Sequence, residues 1–174
     1  MNVLIPKNFI TEWRRSLAVK GLGILDTPAE PAFDRFVNEA AASFDAPIAL
    51  LSLIHSHEQW FKAGHGLTLT CIPRSAGLCS YALDHSGALE CCDPEHDPRF
   101  ANLAVVTGDP FIRYYIGAPL KLLSGVNVGA LCVVDTIRRP PASGDQIAYL
   151  LGLARQASMA LEARADFWRP EAVA

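Results

Sequence analysis

The sequence lacks the features that would place it at a membrane or on nucleic acid. No apolar run approaches the ~20 residues of a membrane span. Pro6 and Lys7 interrupt the apolar stretch at the start, so no export signal is visible. Basic residues are not in excess, because 15 Lys and Arg stand against 18 Asp and Glu, giving a formal net charge of −3. We therefore expect no membrane and no nucleic acid among its partners.

Motifs for hydrolysis, phosphate binding and metal binding are also missing. The sequence contains no G-x-S-x-G nucleophile elbow, and its GHGL and GLGI segments lack the lysine or third glycine of phosphate-binding loops. No C-x-x-C or H-x-x-x-H pair is present, and the adjacent Cys91 and Cys92 would point to opposite faces of a strand. We expect no metal, no cofactor and no catalysis.

The sequence has few cysteines, and their number is odd. The five thiols are Cys71, Cys79, Cys91, Cys92 and Cys132. A chain of 174 residues with 51% hydrophobic and 19% charged residues can bury a core without disulfide staples. The thiols therefore indicate a reducing cytoplasm, and the length indicates one domain with extensions.

Apolar periodicity predicts helices at both ends and strands between them. In chain order the pattern predicts helices 9–22 and 27–44, strands 48–54 and 59–64, an irregular segment 66–111 with a short helix near 76–83 and a strand near 88–92, strands 112–122 and 126–135, and helix 144–164. Capping boxes at Thr27–Glu30 and Ser143–Gln146 are predicted to start two of the helices. This order predicts the α+β class, with the terminal helices on one face of an antiparallel sheet.

Five segments together resemble the GAF domains of bacterial signalling proteins over roughly residues 20–165. They are LGILDTPAEPAFDRFVNEAA, PIALLSLIHSHEQWFKAGHGL, RSAGLCSYAL, DPRFANLAVVTGDPFIRYYIGAPL and VGALCVVD. The resemblance implies a PAS-related fold, in which loops and a small helix enclose a small-molecule pocket on the sheet face opposite the terminal helices. It implies a helical extension at 1–24, a GAF domain at 25–166 and a tail at 167–174. A histidine kinase or a cyclase is the implied output partner.

One branch of the family offers an enzymatic alternative. The GLCSYAL segment around Cys79 is similar to the segment that carries one cysteine of the GAF-type free methionine-R-sulfoxide reductases. Their nucleophilic cysteine lies just before the hairpin strand, where this sequence has Asp109–Arg113 and no thiol. Motifs of the bilin-binding and cyclic-nucleotide-binding branches are not found.

A polar set near the expected pocket supplies the candidate ligand contacts. The candidates are Phe61, Cys79, Asp93, Arg99, Arg113 and Tyr115. Arg113 begins an apolar strand, where an arginine is costly unless it is paired or faces a ligand or solvent. Because side chains two positions apart on a strand share a face, Tyr115, rather than Tyr114, is predicted to lie on the same face as Arg113. Asp93 precedes a proline and can cap a turn, and Arg99 can pair with it or with Asp97. These residues predict a small polar or anionic ligand.

The last helix carries two apolar stripes and therefore has two expected partners. Its second stripe, at Tyr149, Leu153, Ala160 and Ala163, together with Trp13 and Leu17 on the first helix, predicts a homodimer. The sequence as a whole predicts a non-catalytic sensory or regulatory ligand-binding module of bacterial signal transduction. The alternatives are the reductase and a dimerisation scaffold without a pocket.

Overall fold

The predicted order of elements is found in a computed structural model that describes residues 7–168. The elements are α1 (Lys7–Gly21), α2 (Pro31–Phe44), β1 (Ile48–His55), β2 (Glu58–His65), β3 (Cys71–Pro73), a 3₁₀ turn (Arg74–Ala76), α3 (Cys79–Ala82), β4 (Leu89–Cys91), α4 (Ala104–Thr107), β5 (Tyr114–Lys121), β6 (Asn127–Asp135) and α5 (Gly144–Trp168). The ends of the predicted extension and tail, residues 1–6 and 169–174, lie outside the described residues.

Six strands form one antiparallel sheet in the order β3-β2-β1-β6-β5-β4. β1 lies near the middle and is buried from Ile48 to Ile54, as its almost unbroken apolar sequence predicts. The hairpins β1–β2 and β5–β6 are also as predicted. The α+β class is therefore confirmed.

The sheet separates two apolar clusters. Residues of α1, α2 and α5 pack on one face around Phe33, Phe36 and Leu131. On the other face, α3 and the loops pack around Phe100, Tyr115 and Cys132. Terminal helices thus cover one face, and the segment between β3 and β5 covers the other. Within residues 7–168, no helix is both long enough and apolar enough to cross a membrane.

The predicted apolar face of α2 is confirmed, but its predicted start is wrong. The helix begins at Pro31, and Glu30 is the N-cap residue without a side-chain capping bond. Thr27 Oγ1 instead donates to the Ile24 carbonyl and accepts from Lys62 Nζ. Both Pro28 and Pro31 fit the first helical position, and the chain uses the second. The capping box of α5 is confirmed, because Ser143 and Gln146 exchange hydrogen bonds of 3.0 and 3.1 Å.

The second apolar stripe of α5 is only partly covered within the domain, because Leu153 is buried while Tyr149 and Ala163 are exposed. Leu153 is only 2% exposed and belongs to the helix-side cluster, so its assignment to an exposed dimer stripe is wrong. The physical reason is that α5 packs against both α2 and β5, which buries two sides of the helix. Tyr149 remains half exposed and donates its hydroxyl to Glu39.

Candidate functional site

A cavity of about 230 Å³ lies between the sheet and the segment that covers its second face. It is lined by Leu50, Gln59, Phe61, Leu67, Leu69, Ile72, Gly77, Leu78, Cys79, Val105, Asp109, Pro110, Ile112, Tyr115, Cys132 and Val134. Leu69, Val105 and Asp109 are partly or fully exposed, so the cavity meets solvent beside them. Its volume lies below the roughly 300–1,000 Å³ of typical ligand pockets, so it suits only a very small organic molecule.

The floor of the cavity is set by strand alternation. Gln59 and Phe61 come from β2, Tyr115 from β5, and Cys132 and Val134 from β6. Within β2 and within β6 the two residues are two positions apart, so they share a face of the sheet. The neighbouring Tyr114 belongs to the helix side and donates its hydroxyl to Glu90 over 2.8 Å.

Two glycines make room for the polar groups of the site. A Cβ at Gly117 would clash with the Tyr115 hydroxyl, and a Cβ at Gly77 would clash with Gln59 Oε1. The Tyr115 ring therefore lies along the sheet over Gly117. Gly77 also separates the 3₁₀ turn from α3, where the sequence predicted one continuous helix over 76–83.

Two of these polar groups have unmet hydrogen-bonding capacity. The Tyr115 hydroxyl and Gln59 Oε1 are fully buried and have no nitrogen or oxygen hydrogen-bond partner within residues 7–168, and the Cys79 sulfur is the polar group that interacts with both. Burial raises the pKa of Tyr115 well above its usual value, so the phenol stays neutral and can donate. A buried polar group without a partner costs about 1–3 kcal/mol. The pair therefore favours a ligand that offers both an acceptor and a donor.

Two thiols lie side by side in the same cavity. The sulfur atoms of Cys79, on α3, and Cys132, on β6, are 3.6 Å apart. The hydrogen bond from Cys132 is the main reason that the pKa of Cys79 is lowered, although burial opposes the shift; the side chains of Ser52, Tyr115 and Gln59 contribute less. The same interaction and burial raise the pKa of Cys132. A proton lost from this pair is therefore lost first from Cys79.

The charged candidates are engaged elsewhere and do not line the cavity. Arg99 forms a two-point ion pair with Asp97, and its guanidinium holds the pKa of Asp97 down to about 2. Asp93 contacts His96 and Arg138. These ion pairs hold residues 93–99 together and join them to Arg138, which follows β6.

Arg113 also departs from its predicted position. Its Nε lies 3.0 Å from a Glu95 carboxylate oxygen, and its Nη1 donates to the carbonyls of Val106 and Ile112. Arg113 immediately precedes β5, and its contacts with Glu95 and the Val106 carbonyl hold its side chain outside the cavity lining. The structure thus brings Phe61, Cys79 and Tyr115 together and leaves Asp93, Arg99 and Arg113 outside the cavity lining.

Gln59, Cys132 and Asp109 are cavity residues that the sequence interpretation missed. Alternation along β2 and β6 places Gln59 beside Phe61 and Cys132 beside Val134, so the strand pattern contained a signal for two of them. Within residues 7–168, no group of three His, Cys, Asp or Glu side chains could hold a metal ion.

The chain belongs to the GAF domain family, whose sequence model matches residues 28–161. This confirms the resemblance seen in the sequence. The match lies within the predicted boundaries of 25–166, which remain predictions.

Relatives and solved structures agree with this assignment. The chain is 39% identical over 144 residues to a cyclic di-GMP phosphodiesterase of Pseudomonas aeruginosa; the match covers 83% of this chain and 24% of that protein, about a quarter of its length. The GAF domain of an Acinetobacter phosphoenolpyruvate-protein phosphotransferase superposes with a TM-score of 0.64 at 16% identity, covering 94% of this chain and 98% of that one. A free methionine-R-sulfoxide reductase of Neisseria meningitidis gives 0.63 at 18% identity, covering 96% and 97%.

Proposed function

We propose that this GAF domain is a regulatory module that binds a small molecule in the 230 Å³ cavity and has no catalytic activity of its own. The observation that carries the proposal is the pair of buried polar groups on Tyr115 and Gln59, which have no nitrogen or oxygen partner within residues 7–168. A scaffold without a ligand would have no use for a cavity lined by such groups, so the cavity favours ligand binding over the pocketless alternative.

The ligand is small, neutral and polar rather than anionic. Within residues 7–168, no Lys, Arg or His lines the cavity, and the one charged lining residue is Asp109 at its mouth. An anion buried there would lose its hydration without gaining a cation. Tyr115 would donate to a ligand acceptor and Gln59 would accept from a ligand donor, while Phe61 and Cys79 contact its apolar part.

The output belongs to a partner or to another domain. The Pseudomonas relative is named for cyclic di-GMP breakdown, and this chain matches about a quarter of it, so a regulatory role beside a cyclic-nucleotide-processing unit fits. A histidine kinase or a cyclase is the alternative output. The cytoplasmic location stays a prediction from the cysteine content.

We also propose that the domain forms a homodimer through α1. Phe9, Ile10, Trp13 and Leu17 follow one side of that helix and are 44–61% exposed. Together they form an apolar stripe, and such stripes mark interaction surfaces. Trp13 and Leu17 also line a groove against the hairpin turn at Leu123 and the end of α5, which extends this surface.

A thermal-shift screen of small neutral metabolites tests the ligand proposal. A compound present at a hundred times its dissociation constant adds about 2.7 kcal/mol, which is about 5–10 °C for a domain of this size. Val105→Trp should abolish the shift, because Val105 lies in the cavity wall on α4. Ala104→Trp, on the exposed side of the same short helix, is the matched control and should keep it. Equal shifts in both variants would place the ligand elsewhere.

The reductase alternative predicts a different result. Its fold is close, since the Neisseria enzyme gives a TM-score of 0.63. Residues 109–113, however, contain no thiol, and the nearest sulfur to Cys79 given by the structure is that of Cys132 on β6. We expect no methionine to form from free methionine-R-sulfoxide with dithiothreitol as the reductant, measured by chromatography of the product. Robust turnover that disappears in Cys79→Ser would instead establish the reductase.

A further inference from the structure

The Cys79 and Cys132 sulfurs are in a position that ordinary core packing does not require. They lie 3.6 Å apart although the residues are 53 positions apart in sequence. One stands on the first turn of α3, in the segment that covers the cavity, and the other stands in the middle of β6, on the cavity floor. Any bond between them would tie the cover of the cavity to the sheet.

We propose that Cys79 and Cys132 are an oxidation site, where a hydroperoxide such as hydrogen peroxide converts the two thiols to a reversible disulfide. A disulfide has an S–S distance of about 2.0 Å, so the sulfurs must approach by about 1.6 Å. Cys79 is the residue that can move, because it lies on the four-residue α3 just after Gly77. Cys132 is held in a central strand.

The oxidant reaches the thiols through the cavity. Both cysteines line it, and it meets solvent beside Val105 and Asp109. Hydrogen peroxide is about the size of water and needs little room. Cys79 is the attacking sulfur, because it stands on the short α3 that covers the cavity and the neighbouring Cys132 thiol lowers its pKa.

The reaction balances in two steps. The Cys79 sulfur attacks one peroxide oxygen, the O–O bond breaks, and sulfenic acid and water form. The Cys132 sulfur then attacks the sulfenic sulfur, the S–O bond breaks, and a disulfide and a second water form. Two thiols lose one electron each, hydrogen peroxide takes up both, and the two thiol protons leave in the water molecules.

The remaining cysteines serve as internal controls. The Cys91 thiol donates a hydrogen bond to Asp97. Burial raises the pKa of Cys91 to about 11, so this thiol is a poor nucleophile. Cys92 and Cys71 are partly exposed, and burial also raises the pKa of each. None of these three lines the cavity.

The test is disulfide mapping of the full chain. Reduced protein is treated with a few equivalents of hydrogen peroxide, blocked with N-ethylmaleimide in denaturant, and digested for mass spectrometry. The expected product has lost two hydrogens, contains one cross-linked peptide pair carrying Cys79 and Cys132, and reverts with dithiothreitol. The oxidised protein should also melt about 5–10 °C higher, since the bond closes a long loop.

Variants separate this site from other thiol chemistry. Cys79→Ala and Cys132→Ala should each abolish the cross-link, whereas Cys91→Ala and Cys92→Ala should retain it. In Cys132→Ala, the sulfenic acid at Cys79 should persist and react with dimedone. The wild-type peptide map decides the matter even if one variant fails to fold. A cross-link between other cysteines would overturn the proposal. So would a result in which N-ethylmaleimide still blocks both Cys79 and Cys132 fully after Cys71 and Cys92 are oxidised. Neither readout depends on the ligand proposed for the cavity.

Discussion

Leu153→Asp is expected to unfold the domain rather than to weaken only its self-association. Leu153 is 2% exposed and lies in the helix-side core between α2 and β5. An aspartate there loses its hydration without a partner, which together with the lost apolar contacts should cost at least about 4 kcal/mol. Domains of this size have about 5–15 kcal/mol of stability in total. Chemical denaturation followed by circular dichroism measures the loss.

The matched controls for Leu153 lie on exposed positions of the terminal helices. Met159→Asp, at a residue of the same helix that is 57% exposed, should change the free energy of unfolding by less than about 0.5 kcal/mol. Trp13→Asp should also leave the folded monomer intact, but it should weaken the proposed dimer in sedimentation experiments. A folded, stable Leu153→Asp protein would show that α5 is not packed as described.

Glu30→Ala is expected to cost about 3 kcal/mol, because it removes the carboxylate that holds two cations. Glu30 Oε1 lies 2.6 Å from Lys62 Nζ, and both of its oxygens lie 2.8 Å from Arg164 Nε. The Lys62 side chain is 4% exposed, so the variant leaves a buried ammonium without its counterion. The ion pairs also link β2 and α5 to the start of α2. Urea denaturation of both proteins measures the difference.

The effect of Glu30→Ala should depend on pH in a defined direction. The hydrogen bond from Arg164 is the main reason that the pKa of Glu30 is lowered from 4.5 in the folded protein. A carboxyl with a lowered folded-state pKa stabilises the fold above its unfolded value, and this contribution is lost as the pH falls through the folded value. The difference between wild type and variant should therefore be complete at pH 7 and shrink below pH 4.5. A gap that stays constant to pH 3 would contradict the ion-pair account. Glu39→Ala, an exposed change on α2, is the control.

Local patterns explain which parts of the fold were predictable. The apolar period of α2 predicted its buried face at Phe33, Phe36 and Phe44, and the unbroken apolar run predicted β1 as a central strand. These predictions succeed because burial repeats with the helix or strand period. The start of α2 failed because Glu30 is engaged by Lys62 and Arg164, which lie 32 and 134 positions away. Spacing along the chain carries no information on such partners.

The candidate site also has a part that local patterns predict and a part that they do not. Strand alternation carries the position of Tyr115 relative to Tyr114, and it could have identified Cys132. Arg113 could not be placed, because its partner Glu95 belongs to an irregular loop whose path has no period. The proximity of Cys79 to Cys132 likewise results from the packing of α3 on the sheet.

Native mass spectrometry of the purified wild-type chain beside Val105→Trp and Ala104→Trp tests the central claim most directly. The account predicts that wild type and Ala104→Trp bind one small neutral molecule per chain, and that Val105→Trp, equally folded, binds none. A ligand bound equally by Val105→Trp, or no bound molecule in wild type after exposure to a metabolite extract, would contradict the assignment of the cavity as the regulatory binding site.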